Sequence, residues 1–459
     1  MFANIINTFA NCFKIPELKS RIFFTVLLLG VARVAAMIPI PGLDGAALYD
    51  FLESNRRRSG DEGLLGMYSM FTGGALERCA IGSLGIMPYI SATIIIQLMT
   101  AVVPSLSKMA REEGGRTKII QYGRYLTVLL CLGQGFFMAL GWQNPASVFS
   151  GFPGQLVLIG PKWWYLLQTT LVLTSCTLLL MWLGEQITER GIGNGVSLII
   201  TVGILARLPH ASQSAWMMFF PPAGESKYNL FHAIALILLL AGVIAAVIAV
   251  TQAQRKIPVQ YAQRAVGRKM YAGGSSFMPL RVNYAGVMPI IFAQAILMFP
   301  QKILDLAGKS LDIPFLSQIG SKLNYGQPFY VCMEAGMILF FSYFWVATQF
   351  NEIQIADDLK KYNGYIPGVR PGQATSDFLH HCMSRITLAG ALFLAGIAIV
   401  PMLLYQLLGV PFEVATFFGG TSILITVGVV LDTMRQVESH LLMRHYDGFL
   451  KKGRIRGRF

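Results

Sequence analysis

Residues that could carry out catalysis or hold a metal are few in this sequence and poorly spaced for either task. The histidines show no HExxH spacing, and His380, His381 and Cys382 form one weak cluster in a polar stretch. The six cysteines occur singly, without a CxxC pair, at Cys12, Cys79, Cys131, Cys176, Cys332 and Cys382. We interpret them as small buried apolar side chains. The sequence therefore predicts no enzyme activity, no bound metal and no cofactor.

Two short motifs resemble nucleotide-binding loops but lack what such loops need. AGKS at 307–310 ends like a phosphate-binding loop, yet Ile303 occupies the position of its first glycine. GIGNG at 191–195 is not followed by the helix of a βαβ unit, and we interpret it as a turn that re-enters the membrane. Intramembrane proteolysis would need a serine with a histidine, or two aspartates, at membrane depth. The histidines lie at or outside the ends of the apolar segments.

The secondary-structure elements of this chain are predicted to be membrane helices. Of the 459 residues, 54% are hydrophobic and 13% are charged, about half the charged share of a soluble protein, and the mean hydropathy is +0.55. A spanning helix needs about 20 mainly apolar residues. Ten charge-poor segments qualify, although the fifth is short and Arg33 lies inside the first: 22–40, 80–103, 125–140, 163–183, 195–206, 231–250, 284–300, 328–348, 386–405 and 414–431. We predict an all-α membrane protein with ten transmembrane helices.

Basic residues are distributed unevenly between the two sides of these spans. One side holds 25 Lys and Arg against 11 Asp and Glu, the other holds 10 of each, and the spans hold two of each. The whole net charge of +14 therefore lies on one side. Loops rich in Lys and Arg stay in the cytoplasm, and an even number of spans returns the chain to its starting side. Both termini are predicted to be cytoplasmic.

A long polar external connection, 209–229, divides the predicted spans into two sets of five. The halves are 1–208 and 230–434, and a basic cytoplasmic tail follows at 435–459. Because each half has an odd number of spans, the second enters the membrane in the opposite orientation, as in an inverted repeat. The halves show no clear residue-level similarity, so this prediction depends on the count of spans.

Acidic residues inside the spans are too few for an ion-coupled transporter or pump. Such proteins use a relay of Asp, Glu or His at membrane depth. In this chain Glu334 lies well inside a span, and Asp432 lies at the end of one. A driven transporter is therefore disfavoured, but a small-molecule secondary transporter stays as the alternative function.

Two aliphatic pairs bear on whether the chain is a small-molecule transporter. Ile86 with Ile90, and Val196 with Ile200, are four residues apart and project from one face of their helices. Most such pairs are core or lipid contacts. If several met at one constriction, they would form a hydrophobic gate. A transporter would instead need polar groups that converge at the midplane.

Six long motifs run through the chain in a fixed order: RVAAMIPIPGLD (33–44), MFTGGALERCAIGSLGIMPYISATIIIQLMT (70–100), MWLGEQITERGIGNGVSLII (181–200), NYAGVMPIIFAQAI (283–296), YIPGVRPG (365–372) and FGGTSILI (418–425). In sequence, order and spacing they closely resemble the bacterial members of the SecY/Sec61-alpha family, the pore subunits of the Sec protein translocase. The resemblance covers nearly the whole chain. It implies ten spans in two pseudo-symmetric inverted halves, with cytoplasmic termini.

The resemblance implies an hourglass channel that passes unfolded secretory chains and opens sideways to release hydrophobic segments into lipid. Its aliphatic pore ring would comprise Ile86, Ile90, Val196, Ile200, Ile291 and Ile425. Its plug, a short helix that blocks the external funnel, corresponds to about 64–78, with Leu64, Met67, Met70, Phe71, Gly73, Gly74 and Arg78. Its lateral gate lies between spans two and three and spans seven and eight, near Ser91, Thr93, Gln97, Pro289 and Gln294.

The cytoplasmic loop 252–282 carries six basic residues and no acid. This charge suits contact with ribosomal RNA phosphates, with an acidic motor surface or with lipid headgroups. Arg264, Arg268 and Lys269 are candidates for partner docking, and the last two match basic residues of the family's ribosome-docking loop. Arg370, inside YIPGVRPG, matches an arginine needed for coupling to the motor ATPase SecA.

Further partners and the location follow from the resemblance alone. It implies small membrane subunits of the SecE and SecG types, secretory preproteins with their signal peptides, and the bilayer as surroundings. The location implied is the bacterial cytoplasmic, or inner, membrane. The external run 56–58, three arginines, is locally unlike the bacterial sequences and has no assigned task.

Overall fold

The computed structural model describes residues 15–59, 69–112, 114–145, 152, 154–158, 160–220, 228–261, 264–266, 269–271, 275–294, 296–297, 314–323 and 327–452. These residues are mostly helical. Seven of their helices are long and apolar enough to cross a membrane, and the bent pair Met87–Val102 and Pro104–Ala110 makes an eighth if it counts as one span. Two predicted spans are not among these. The first is a 20-residue helix with Arg33 in its last turn, and the seventh, 284–300, runs partly outside the described residues.

One compact unit contains the described residues up to Ala215 and those from Ile425 onward. Its helices are α1 (Pro16–Ala35), α2 (Gly45–Ser59), α3 (Met87–Val102), α4 (Pro104–Arg111), α5 (Gly115–Gln143), α6 (Lys162–Arg190) and α7 (Gly195–Leu205), with the first part of α8 (Leu208–Phe219). Helix α5 packs along both α3 and α6. Ala32 and Ala35 of α1 pack against Leu180 and Leu183 of α6.

The other compact unit is Trp216–Leu424. Its elements are α9 (Leu230–Gln252), β1 (Gln254–Tyr261), β2 (Arg264–Val266), β3 (Lys269–Tyr271), β4 (Ser275–Arg281), α10 (Pro314–Lys322), α11 (Pro328–Gln349), α12 (Glu352–Lys361), β5 (Gly364–Tyr365), α13 (Gln373–Leu408) and α14 (Phe412–Gly419). A short helical stretch at 288–294 precedes α10. Helix α13 packs along α11 and α14. The last helix, α15 (Thr421–Lys452), begins in this unit and continues in the first.

Local sequence explains where several helices begin and end. The side chain of Asn194 accepts a hydrogen bond from the Ser197 amide at 3.3 Å and caps α7, and Asn351 caps α12 in the same way. Proline stands in the first turn of α1, α3, α4 and α11, where a missing amide hydrogen costs nothing. Gly409, at φ 62°, terminates α13 in the left-handed conformation.

The basic loop after α9 forms a β-hairpin, a feature that the sequence analysis treated only as a loop. Strand β1 pairs antiparallel with β4, from Gln254 opposite Arg281 to Gln260 opposite Ser275. The other edge of β1 pairs with the short strand β5, giving the strand order β4-β1-β5. Strands β2 and β3 form a separate two-stranded ladder.

The compact units divide the chain differently from the predicted halves. Residues from Ile425 onward group with the first unit because α15 packs there: Leu18 and Ile192 contact Val437 and Leu441. The amide of Gly193 also donates to Oε1 of Gln436 at 2.8 Å. The two halves of five spans therefore stay a prediction about topology, whereas packing joins the last helix to the first half.

Candidate functional site

The aliphatic residues predicted for the pore ring are buried, apart from one that is half-buried. Ile86 stands directly before α3, and the amide of Ile90 bonds its carbonyl at 3.2 Å, so the two side chains keep helical spacing. On α7, Ile200 is buried and Val196 is half-buried. Ile425 is fully buried in the first unit, and Ile291 is buried in the second, within 288–294.

A small cavity in the first unit is lined by one member of this set. Ile86 lines it together with Ile199 and Val202 of α7 and with Arg33 of α1. Thr72, from the segment before α3, completes the polar part of the wall. The first unit thus brings Ile86, α7 and the predicted plug to one place.

The described part of the predicted plug is one helical turn, 69–72, followed by turns up to α3. Met70 and Phe71 are buried, and Gly73 and Gly74 have φ values of 65° and 84°, which favour glycine. The predicted plug residues Leu64 and Met67 lie outside the described residues. Helix α3 begins at Met87 rather than near residue 80, because the amide of Gly82 bonds the Ala35 carbonyl and holds the chain in turns.

Polar contacts tie this segment to two helices. Nη1 of Arg33, inside α1, donates to the carbonyl of Gly73 at 3.2 Å. Glu77 forms an ion pair with Arg207, between α7 and α8, and accepts a hydrogen bond from the hydroxyl of Ser69. The contacts of Arg33 and of Arg207 could not be predicted from local spacing, since their partners are 40 and 130 residues away.

Backbone packing brings the segment still closer to α7. A Cβ atom added to Gly73 would lie 3.0 Å from Cα of Gly203, and one added to Gly203 would lie 3.2 Å from the carbonyl oxygen of Phe71. Arg78 is exposed, and its guanidinium lies 5.3 Å from the ring centroid of Tyr49 on α2. The segment is therefore packed on α2, α1 and α7 at once.

The predicted gate residues lie in both units. On α3, Ser91, Thr93 and Gln97 are half-buried, and the Thr93 hydroxyl bonds the Tyr89 carbonyl of its own helix at 2.8 Å. In the second unit Pro289 and Gln294 are buried.

Gln294 has a partner on the next helix of its own unit. Its Nε2 donates to Oε1 of Glu334 on α11 at 3.2 Å. Glu334, predicted as an isolated acid inside a span, is thus paired with Gln294, which local spacing did not indicate. Their positions in consecutive spans could have suggested the pair.

The cytoplasmic candidates belong to the β-sheet region of the second unit. Arg264 and Lys269 lie on β2 and β3, whereas Arg268 falls outside the described residues. Arg370 is exposed, and its carbonyl accepts a hydrogen bond from the Thr375 hydroxyl at the start of α13, at 2.9 Å. Strand β5, five residues before Arg370, pairs with β1, so the two basic loops share one sheet.

One face of this sheet is anchored to the helices. Ile257 and Val259 of β1 and Leu280 of β4 are buried in a cluster with Val346, Phe350, Ile366, Leu379, Cys382, Met383 and Ile386. Lys256, which alternates with these buried residues, is exposed, and so is Arg255 near the start of the strand. The sheet thus presents basic side chains from a fixed apolar base.

Comparisons with known proteins identify relatives of the whole chain. Residues 80–434 match the family model described as SecY. The chain is 42% identical over 446 residues to the protein translocase subunit SecY of Escherichia coli (strain K12), covering 96% of each chain. It is 41% identical over 453 residues to that of Thermotoga maritima, covering 98% of this chain and 99% of the relative.

Solved structures resemble the fold over most of the chain. A structure described as that of a protein conducting channel matches with a TM-score of 0.59 at 18% identity, covering 92% of each chain. A second structure is described by the statement that the plug domain of the SecY protein stabilises the closed state of the translocation channel. It matches with a TM-score of 0.57 at 17% identity, covering 92% of each chain. Sec61 in a canine ribosome-channel complex matches with a TM-score of 0.55 at 18% identity, again over 92% of each chain.

Proposed function

The chain belongs to the SecY family of protein translocase subunits, and we propose from that premise how its own residues seal and open the channel. As a member of the family it is a plug-containing, protein-conducting channel subunit, a multi-pass membrane protein whose role is not enzymatic. The alternative of a small-molecule secondary transporter has no support among these relatives.

The constriction of the channel is formed by Ile86, Ile90, Val196, Ile200, Ile291 and Ile425. The observation that carries this proposal is that Ile86 is buried on the wall of a cavity shared by α1, α7 and the plug segment. Branched aliphatic side chains offer no hydrogen bonds to a passing polypeptide, and a narrow apolar ring excludes water and ions when the chain is absent. Such a ring can therefore seal without binding its substrate.

Lateral opening separates α3 and its neighbour α5 from the stretch 288–294 and α11. On the first side the half-buried Ser91, Thr93 and Gln97 give α3 a polar face, and on the other side Gln294 lies buried within its own unit. A hydrophobic segment of the substrate can then replace protein contacts with lipid contacts as it leaves. The bond from Gln294 to Glu334 keeps the second side of the gate together as it moves.

The cytoplasmic sheet and the Arg370 loop dock the partners that drive transport. Exposed Arg255, Lys256 and Arg370 support this assignment, since guanidinium and ammonium groups bind phosphates and carboxylates. The partners would be a translating ribosome or the motor ATPase SecA, with SecE-type and SecG-type subunits completing the complex in the bacterial inner membrane. Both termini lie in the cytoplasm.

Ion leakage through reconstituted channels tests the ring. Replacing Ile86 or Ile425 with Asn places a hydrogen-bonding amide at the constriction, and we expect a higher resting conductance and transport of precursors with defective signal sequences. Ile86→Val and Ile425→Val are matched controls because they keep the aliphatic character. Unchanged conductance in both Asn variants would contradict the ring assignment.

A further inference from the structure

The plug segment contains a buried pair of opposite charges. Glu77 and Arg207 form an ion pair with side chains only 8% and 14% exposed. The same carboxylate accepts from the hydroxyl of Ser69, so it joins the beginning of the described plug segment to its end and to the outer end of α7. This link depends on the identity of the side chains, whereas Arg33 bonds a backbone carbonyl.

The energetics of such a pair suit a reversible contact. Removing two charges from water is costly, and their attraction offsets this cost only partly, so the net stabilisation from an intact buried pair is small. Removing one partner is a different matter, because the remaining charge stays buried but loses the attraction of this ion pair. When a plug leaves its seat, both groups regain water together. The pair therefore opposes displacement of the plug without preventing it.

The position of the pair also matters. At Gly73 the backbone approaches α7 so closely that an added Cβ would lie 3.0 Å from Cα of Gly203. Glu77 follows four residues later and pairs with Arg207, four residues after Gly203. The glycine contact and the ion pair thus fix two successive points of the plug segment, one against α7 and one just beyond its end. Two fixed points determine both the place and the orientation of the segment.

We propose that the Glu77–Arg207 ion pair is a latch that holds the plug on α7 in the closed channel, and that Ser69 orients the carboxylate of this latch. The proposal rests on the function assigned above. Neither residue contacts the substrate in this role; both are positioning residues. Loss of the latch raises the fraction of channels whose plug has left its seat.

Resting ion conductance of the full-length chain, reconstituted in vesicles with the small membrane subunits that copurify with it, tests the latch. Glu77→Gln and Arg207→Gln each keep the side-chain shape but abolish the pair, and we expect about tenfold higher conductance and acceptance of precursors with defective signal sequences. The double charge reversal Glu77→Arg with Arg207→Glu restores an ion pair, and the Ser69 hydroxyl can accept as well as donate. We expect this variant to approach the wild-type conductance.

A second ion pair supplies the matched control. Arg124 on α5 and Glu185 on α6 bond through 3.1 and 2.8 Å contacts, away from the plug. Arg124→Gln and Glu185→Gln should leave the conductance unchanged. Equal leakage from the plug and control variants, or no rescue by the charge reversal, would overturn the latch.

Transport of an ordinary precursor in the same vesicles, driven by added motor ATPase and ATP, separates the latch from the function on which it rests. If the unaltered protein transports no precursor, the channel assignment is wrong and the latch with it. If transport is normal and neither Gln variant leaks, the latch alone is overturned.

Discussion

Glu334 and Gln294 are polar groups enclosed by apolar helices, and each is only 2% exposed. Within the described residues, Oε1 of Gln294 has no hydrogen-bond partner, while Nε2 of the same side chain donates a hydrogen bond to the carboxyl group of Glu334. Buried polar groups that lose a partner are expensive, whereas removing both partners is often nearly neutral. The intact pair therefore contributes less to the free energy of unfolding than the loss of one partner alone would suggest.

Thermal unfolding in detergent measures this difference. We expect Gln294→Leu to lower the free energy of unfolding by about 1–3 kcal/mol, because Glu334 loses its donor. The double replacement Gln294→Leu with Glu334→Leu should lie closer to the unaltered protein. Gln349→Leu, at the exposed end of α11, is the control and should change little. If the double variant loses as much stability as Gln294→Leu and Glu334→Leu lose in sum when each is measured alone, this coupling is contradicted.

Arg370 is an exposed side chain on a backbone fixed by Thr375. Charge reversal by Arg370→Glu removes a docking cation without removing that backbone bond, so we expect motor-dependent export to fall while the protein remains inserted. Accumulation of unprocessed precursor in cells measures export, and the amount of chain in membranes measures insertion. Lys360→Glu, on the neighbouring α12, should have a smaller effect. Normal export in the Arg370 variant would remove it from the docking surface.

Local spacing explains which residues of the site could be predicted. Ile86 and Ile90 are one helical turn apart, and the glycines at 73 and 74 mark a turn, so both features are visible in a short window of sequence. The partner of Glu77 is not, because 130 residues separate it from Arg207 and only the packing of α7 brings them together. The same holds for Arg33 and the carbonyl of Gly73.

At the scale of elements, the plug segment and α7 meet through glycine. Gly73 and Gly74 both have positive φ values, but an added Cβ at Gly73 would meet Arg33 and Gly203, while nothing lies within 4 Å of one at Gly74. Alanine at either position carries a similar backbone strain of about 1 kcal/mol. Only alanine at Gly73 also pushes the segment away from α7.

The two alanine variants therefore separate strain from contact. We expect Gly73→Ala to raise resting ion conductance more than Gly74→Ala, as measured in reconstituted vesicles. Equal leakage from both would mean that backbone conformation, and not the close approach to α7, holds the segment. No leakage from either would mean that the segment tolerates displacement at this point.

Most helices follow from apolar length and from capping residues, but two elements could not be predicted in this way. The hairpin β1–β4 lies in a loop whose most visible feature in the sequence is its basic charge. Ile257 and Val259 nevertheless alternate with exposed residues, as in a half-buried strand. Helix α3 begins seven residues later than its apolar segment, because backbone bonds to α1 hold the residues before Met87 in turns. Hydropathy carries no information about such bonds.

For the whole molecule, the distribution of charge predicts orientation. Lys162, at the start of α6, lies on the side predicted to be external, and Lys361, at the end of α12, lies on the basic side; both side chains are exposed. In a chain whose native cysteines are replaced by Ser, a membrane-impermeant maleimide added to spheroplasts should label Lys162→Cys but not Lys361→Cys. Lysis should make both reactive. The reverse pattern would mean that the basic side faces outward.

Counting spans predicts the number of crossings and their direction but not how the helices associate. The count places the last helix in the second half, yet Val437 and Leu441 pack against Leu18 and Ile192 of the first unit. These contacts join the two ends of the chain, which no pattern along a single segment reveals. Topology and packing are thus separate properties of this molecule. Local hydropathy predicts the topology but not the packing.

The three-stranded sheet has a consequence for the thermodynamics of docking. A ligand that binds flexible loops must pay for ordering them, which weakens the complex. Here β1 already joins the hairpin to β5, and the buried face of the sheet is packed on α11 and α13. The conformational entropy of strands β1, β4 and β5 is thus given up during folding rather than at each encounter. A partner that binds these strands meets a preorganised surface.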